Sequence, residues 1–183
     1  MTFLLQLPLP VACCLAAMAI TAGVYDLSTR RIPNWLTVSG AGAGIGLNLL
    51  LYGAAGLRMA LFGLATGFGV YLVLYLLRAM GAGDVKLMAA VGAFLGPSQW
   101  FAIFVVTSIL GAAAGAILAL RNGRLSLTLS NVRYIAAELL HARAPYINRP
   151  QLDLGNEKAL TLPHGAVIAA ATMLALVFTI HSY

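Results

Sequence analysis

Charge is what this sequence has least of. Only 9% of its 183 residues are charged, and acids number five against eleven lysines and arginines. A soluble domain carries about a quarter charged residues, so this chain cannot cover itself with polar surface. With 61% hydrophobic residues and a mean hydropathy of +0.92, the expectation is an all-α polytopic membrane protein folded as a single domain over 1–183. Cysteine is equally sparse. Cys13 and Cys14 stand side by side in an apolar run, which excludes a disulfide framework and leaves no spaced pair to hold zinc. The three histidines, His141, His164 and His181, are too far apart in sequence to suggest a metal site. The net charge of +6 points to no nucleic acid, because the basic residues fall in short loops between apolar runs, where membrane insertion places them. No Lys or Arg precedes Asp26, so the charged start of a cleaved signal peptide is missing. The first run reads as an uncleaved transmembrane helix.

Six apolar runs are present. The first helix is expected from Val11 to Tyr25, after Pro8 and Pro10, which suit a helix entrance. A polar loop, 26–34, contains Pro33. The second helix runs from about Trp35 to Leu51, rich in glycines that permit close helix packing in lipid. A turn over Tyr52–Arg58 leads to a third helix, about Met59 to Leu77, with Gly63 and Gly67 in small-xxx-small spacing. After a loop, Arg78–Asp84, a short fourth helix covers Val85 to Leu95 and stops at Gly96-Pro97. The fifth spans about Trp100 to Leu120, with Gly111 and Gly115 again four apart, and the last about Leu162 to Ile180. Between them, 121–162 is the one long polar stretch; its part Leu125 to Leu140 reads either as an amphipathic helix on the membrane surface or as a solvated loop.

Six spans place the loops on alternate sides. Ten of the eleven basic residues then share one side, and only Arg58 lies on the other. The basic side is cytoplasmic by the positive-inside rule, and all five acids fall there too. Asp26 and Asp84 therefore end on the same face. The fourth helix, with 11 residues, covers only about half of a ~30 Å hydrocarbon core at ~1.5 Å per residue, so Asp84 is expected inside the membrane profile. An acid at such depth is a functional-site candidate by default. Gly81 and Gly83 beside it allow a non-helical backbone or the close approach of another chain.

Two carboxylates a few Å apart resist ionising together and share a proton. The ionised one can take a proton from water while the protonated one polarises a peptide carbonyl. That hydrolyses an amide with no metal, cofactor or covalent intermediate. Structural readings stand beside this one. Asp84 could be a helix N-cap, and Asp26 could pair with Arg30 at i,i+4. A proton-coupled transporter is a further alternative, but its acids usually sit at the midplane between inverted repeats, and neither feature is visible.

Gly81-Ala-Gly-Asp84-Val-Lys86-Leu resembles the GxGD signature of type IV prepilin peptidases, in which a lysine follows the aspartate by two. Asp26 followed by Arg31-Ile-Pro33-Asn34 resembles the same family's first catalytic aspartate and its trailing Ile-Pro-Asn. Leu162-Pro-His164-Gly-Ala-Val resembles the opening of its last helix, with His164 in place of the usual aromatic. The resemblance implies an intramembrane aspartic endopeptidase with Asp26 and Asp84 as its catalytic pair. Gly81, Gly83, Lys86, Arg31, Pro33 and Asn34 are then candidates for substrate binding or support of the pair. It further implies prepilin or pseudopilin precursors as substrates, cut after a short basic leader at the cytoplasmic face of the bacterial inner membrane. Larger members carry a cytoplasmic insert with Cys-x-x-Cys motifs and also methylate the new N-terminus. Here only nine residues separate Tyr25 from Trp35, which is similar to the short form found with tight-adherence (Flp-type) pili.

Overall fold

The computed structural model describes residues 7–140 and 162–180, and the only regular secondary structure in them is helix. Five helical elements follow one another: α1 (Leu9–Thr29), α2 (Asn34–Leu76), α3 (Ala82–Arg121), α4 (Leu125–Leu140) and α5 (His164–Ile180). The first three are each long and apolar enough to cross a membrane, which makes this an integral membrane protein. Much of the expected polar stretch, including Arg143, Arg149, Asp153, Glu157 and Lys158, lies outside the described residues, as do His141 and His181.

Helix α1 runs a full turn beyond its expected end at Tyr25. Asp-Leu-Ser-Thr looks like a loop in sequence. In the fold, Ser28 donates to the Val24 carbonyl at 2.8 Å and Thr29 to the Tyr25 carbonyl at 2.8 Å. The hydroxyls thus bond back along the helix instead of pulling it open. Asp26 is therefore a helix residue, not the first residue of a loop. Arg30, left-handed at φ 55°, ends the helix, and the connection to α2 shrinks to 30–33. Pro33 is the N-cap of α2, which begins one residue earlier than expected, at Asn34.

Helix α2 is a hairpin. Its one break is Gly53, with φ 58° and ψ −143°, where the sequence had suggested a seven-residue turn. A Cβ on Gly44 would lie 2.9 Å from the backbone of Ala93 and Phe94, and one on Gly63 would strike the Gly92 carbonyl. Residues 44 and 63 therefore meet the same turn of α3, whereas a straight helix would hold them about 28 Å apart. Only a residue without a Cβ adopts the Gly53 conformation readily.

Helix α3 reverses in the same way at Gly96 (φ 74°, ψ 173°), directly before Pro97. Trp100 Nε1 donates to the Met88 carbonyl at 3.1 Å, although 12 residues of straight helix would separate them by about 18 Å. Proline has no N–H to offer the carbonyl four residues back, which here is Ala93. Asn48, 1% exposed, fills that gap: its Nδ2 donates to Ala93 O and Phe94 O, both at 3.1 Å. The first arm of α3 begins at Ala82, three residues earlier than expected, so Gly83 and Asp84 are helical. Over 87–96 this arm is buried at every position. It is the axis of the bundle, enclosed by the other arms, as befits a helix that is apolar all round.

Helix α4 settles the two readings of 125–140 in favour of a helix. Its Leu127, Leu129 and Val132 are exposed. Helix α5 runs antiparallel to α1, with Ala169 against Gly23 and Gly165 against Asp26.

Candidate active site

Both acids come to the end of the bundle where the connections 30–33 and 77–81 lie. Asp26 opens the last turn of α1 and is only 7% exposed. Its Oδ2 accepts the Ala166 N–H at 3.0 Å, in the first turn of α5. The first N–H groups of a helix have no partner within it, and its N-terminus carries partial positive charge. A carboxylate from another helix satisfies both. Such a charge-assisted bond is worth roughly 1.5–3 kcal/mol, and it ties the two ends of the chain together at the acid. This partner lies 140 residues away in sequence.

Asp84 occupies the third position of α3, not the cap itself. The cap is Gly81, and Asp84 Oδ2 accepts the Gly81 N–H at 3.2 Å. Gly81 has the expected non-helical backbone, extended at φ −80° and ψ 152°, a conformation any residue adopts, whereas Gly83 is helical. At Gly83 an added Cβ would be in ordinary van der Waals contact. Its missing Cβ would stand 3.4 Å from Ile32 Cβ, while a Cβ on Gly165 would stand 2.7 Å from Ile32 Cδ1 and 3.1 Å from Asp26 Oδ2. Ile32 thus lies between the glycine beside one acid and the glycine beside the other, and only Gly165 is too close to it for a side chain.

The remaining candidates divide into those that meet the acids and those that brace them. Lys86 donates from Nζ to Asn34 Oδ1 at 2.8 Å, locking the start of α3 to the start of α2. Pro33 gives its carbonyl to the Leu36 N–H at 3.2 Å and sets the α2 entrance. Arg31 is exposed, and its carbonyl accepts from Thr29 at 3.2 Å.

Asp26, Asp84 and Gly81 line one cavity of about 790 Å³. Arg30 and the 79–81 connection form its rim, and Tyr71, Phe104 and His164 its inner wall. Tyr71 is 1% exposed and packs edge-on against Trp100 and Phe104, with ring centroids 6.4 and 6.1 Å apart and interplanar angles of 80° and 82°. His164 lies 6.3 Å from the Tyr71 ring, and its buried Nε2 has no hydrogen-bond partner among the described residues. Sequence reasoning passed over Tyr71. The signal was there: Gly56, Ala60, Gly63, Gly67 and Tyr71 are all buried at helical spacing, and Tyr71 ends that stripe. The role of Ala166 rests on a backbone N–H, which no side-chain pattern reports.

An all-helical membrane protein with two carboxylates from different helices in one cavity is a narrow class. Within it, residues 13–116 match the model of the type IV leader peptidase family. The chain belongs to that family. It is 33% identical over 117 residues to a prepilin leader peptidase/N-methyltransferase of Burkholderia pseudomallei, a match covering 60% of this chain and 37% of the relative. It is 32% identical over 117 residues to proteins of the same description from Neisseria gonorrhoeae and Myxococcus xanthus. Each match covers 60% of this chain, and 41% and 35% of those relatives respectively. The chain therefore matches little more than a third of the length of these curated relatives. No solved structure matches it.

Proposed function

We propose that this protein is an intramembrane aspartic endopeptidase that removes the leader from prepilin or pseudopilin precursors. The observation that carries the reading is the shared cavity. Asp26 and Asp84 arrive from α1 and α3 at the same end of the bundle, and each is oriented by a backbone N–H, from Ala166 and Gly81 respectively. Family membership supports the reaction class, and the names of the relatives support the substrate class.

In this mechanism the pair holds one proton between two carboxylates. The ionised member draws a proton from water as that water attacks the scissile carbonyl. The protonated member donates to the carbonyl oxygen as charge develops there and takes that proton back as the carbonyl reforms, while the other member passes the proton it drew from water to the leaving amine. Neither metal nor covalent intermediate is involved. Gly165 admits Ile32, which also touches Gly83 and keeps the two acids in register. Lys86 and Asn34 hold the entrance of α2 against α3.

The reversals at Gly53 and Gly96 support a reading with six membrane crossings: α1, the two arms of α2, the two arms of α3, and α5. The basic connections, with both acids, then face the cytoplasm of the bacterial inner membrane, where a precursor's leader is accessible. The short connection between α1 and α2 supports the Flp-type form.

Asp26→Asn and Asp84→Asn are each expected to lower cleavage of a purified precursor at least about 100-fold in a reconstituted assay, while the protein still inserts. Asn keeps the volume but cannot exchange the proton. The double variant should be no worse than either single one, because the two act as a unit. A large residual activity in either single variant sinks the two-aspartate mechanism.

A further inference from the structure

Five glycine pairs in this chain, at 40/44, 42/46, 63/67, 92/96 and 111/115, share the four-residue spacing that brings helices into backbone contact. Gly63 and Gly67 use it: their missing Cβ atoms would strike the Gly92 and Met88 carbonyls. Gly111 and Gly115, on the second arm of α3 (97–121), do not. Among the described residues a Cβ on Gly115 would meet nothing within 4 Å, and one on Gly111 would come no nearer than 3.6 Å to the His164 ring. Gly42, Gly46 and Gly69 are similarly open, but only Gly111 and Gly115 line the cavity of the two acids. Ser108 and Ala112 complete the same small-residue wall. From Phe104 to Gly115 that wall extends about 16 Å, or three helical turns. At its middle stands His164, whose Nε2 is buried without a partner among the described residues.

We infer that the face Ser108, Gly111, Ala112 and Gly115 is the docking groove for the substrate segment that straddles the cut. Among the described residues the bundle leaves a helix-packing surface unfilled directly beside its carboxylate pair. A substrate chain lying there fills it with backbone-close contact, and its peptide groups provide a polar partner for His164. The wall is apolar, as suits a segment bordering a hydrophobic run. It is also continuous with the acids, so a chain in contact with it passes the reacting carboxylates. This rests on the peptidase reading above and adds where that peptidase holds its substrate.

The test separates the groove from the chemistry. Gly115→Leu fills open space, so its thermal midpoint should match wild type, while kcat/KM for a precursor should fall on the order of 100-fold, the penalty for misplacing substrate by about 1 Å. Ala113→Leu, on the exposed opposite side of the same arm, should stay within about twofold, as for a surface change outside any contact. Wild-type cleavage by Gly115→Leu overturns the assignment. The second measurement does not depend on that variant folding. Gly115→Cys is combined with Cys13→Ala, Cys14→Ala and Asp84→Asn, and mixed with precursors carrying single cysteines around the cut. Disulfides to positions flanking the cut are expected. Capture of a second copy of the peptidase, or of no precursor position, overturns the groove. Neither result touches the peptidase reading, which fails only if the aspartate variants cleave.

Discussion

The two arms of α3 are built from similar residues and do opposite things. The first arm (82–95) is closed. Every position over 87–96 is buried, Gly92 lies against Gly63, and carbonyls freed by the break at Gly96-Pro97 are taken up by Asn48. The second arm (97–121) is half open, its small residues turned toward the cavity and the lipid. Glycine spacing is the same in both regions, so spacing alone does not tell a helix contact from a vacant surface. What distinguishes them is whether another backbone in the same chain occupies the room the glycine leaves. The closed arm holds Asp84 in place, and the open arm gives access to it.

The largest effect should come from filling the closed side. Gly63→Val places a branched side chain where the Gly92 carbonyl stands. Overpacking costs about 1–3 kcal/mol where neighbours can shift, and two helix backbones cannot. Loss of folded protein after membrane extraction is expected. If Gly63→Val unfolds no more readily than Gly115→Ala, the contrast between the arms is false. Next comes Asn48→Leu, which strands the Ala93 carbonyl in the core. The expected loss is about 1–3 kcal/mol, the cost of an unsatisfied buried polar group, read as a lower midpoint in detergent-denaturant unfolding. An unchanged midpoint would show that the reversal at Gly96 needs no external donor. The smallest effect belongs to Lys86→Met. It removes one hydrogen bond to Asn34 near the surface, worth about 0.5–1.5 kcal/mol, and leaves the cavity lining intact. A modest fall in stability with most cleavage retained is expected. Abolition of cleavage in a folded Lys86→Met protein would move Lys86 from bracing into the reaction.

Much of this was legible in residues alone. Apolar runs too long and too uncharged for solution required helices, because only helices satisfy their own backbone in lipid without closing a barrel. Asp26 and Asp84 stood out for the same reason, as charges that such a segment tolerates only for a purpose. The Gly96-Pro97 break was visible because proline cannot continue the ladder and glycine accepts the reversing dihedrals. Helix ends were harder. The extension of α1 past Asp26 depends on hydroxyls choosing the carbonyls behind them, and the early start of α3 depends on Asp84 reaching back to Gly81. Both choices are matters of a few tenths to about one kcal/mol, which propensity does not resolve.

Sequence by itself determined that this is a helical membrane protein, where its chain reverses, and which two acids are out of place. Only the tertiary structure decided what those acids touch. Asp26 finds an N–H from Ala166, 140 residues away, and Ile32 lies between Gly83 and Gly165. Tyr71 and His164 are brought to the cavity wall, while the small face of 108–115 is left partly uncovered by the other described residues. The physical reason is that helix formation is local, settled within four residues by hydrogen bonds the sequence carries with it. Partners across a bundle depend on how ridges and gaps of whole helices fit together, and that fit exists only once all of them are in place.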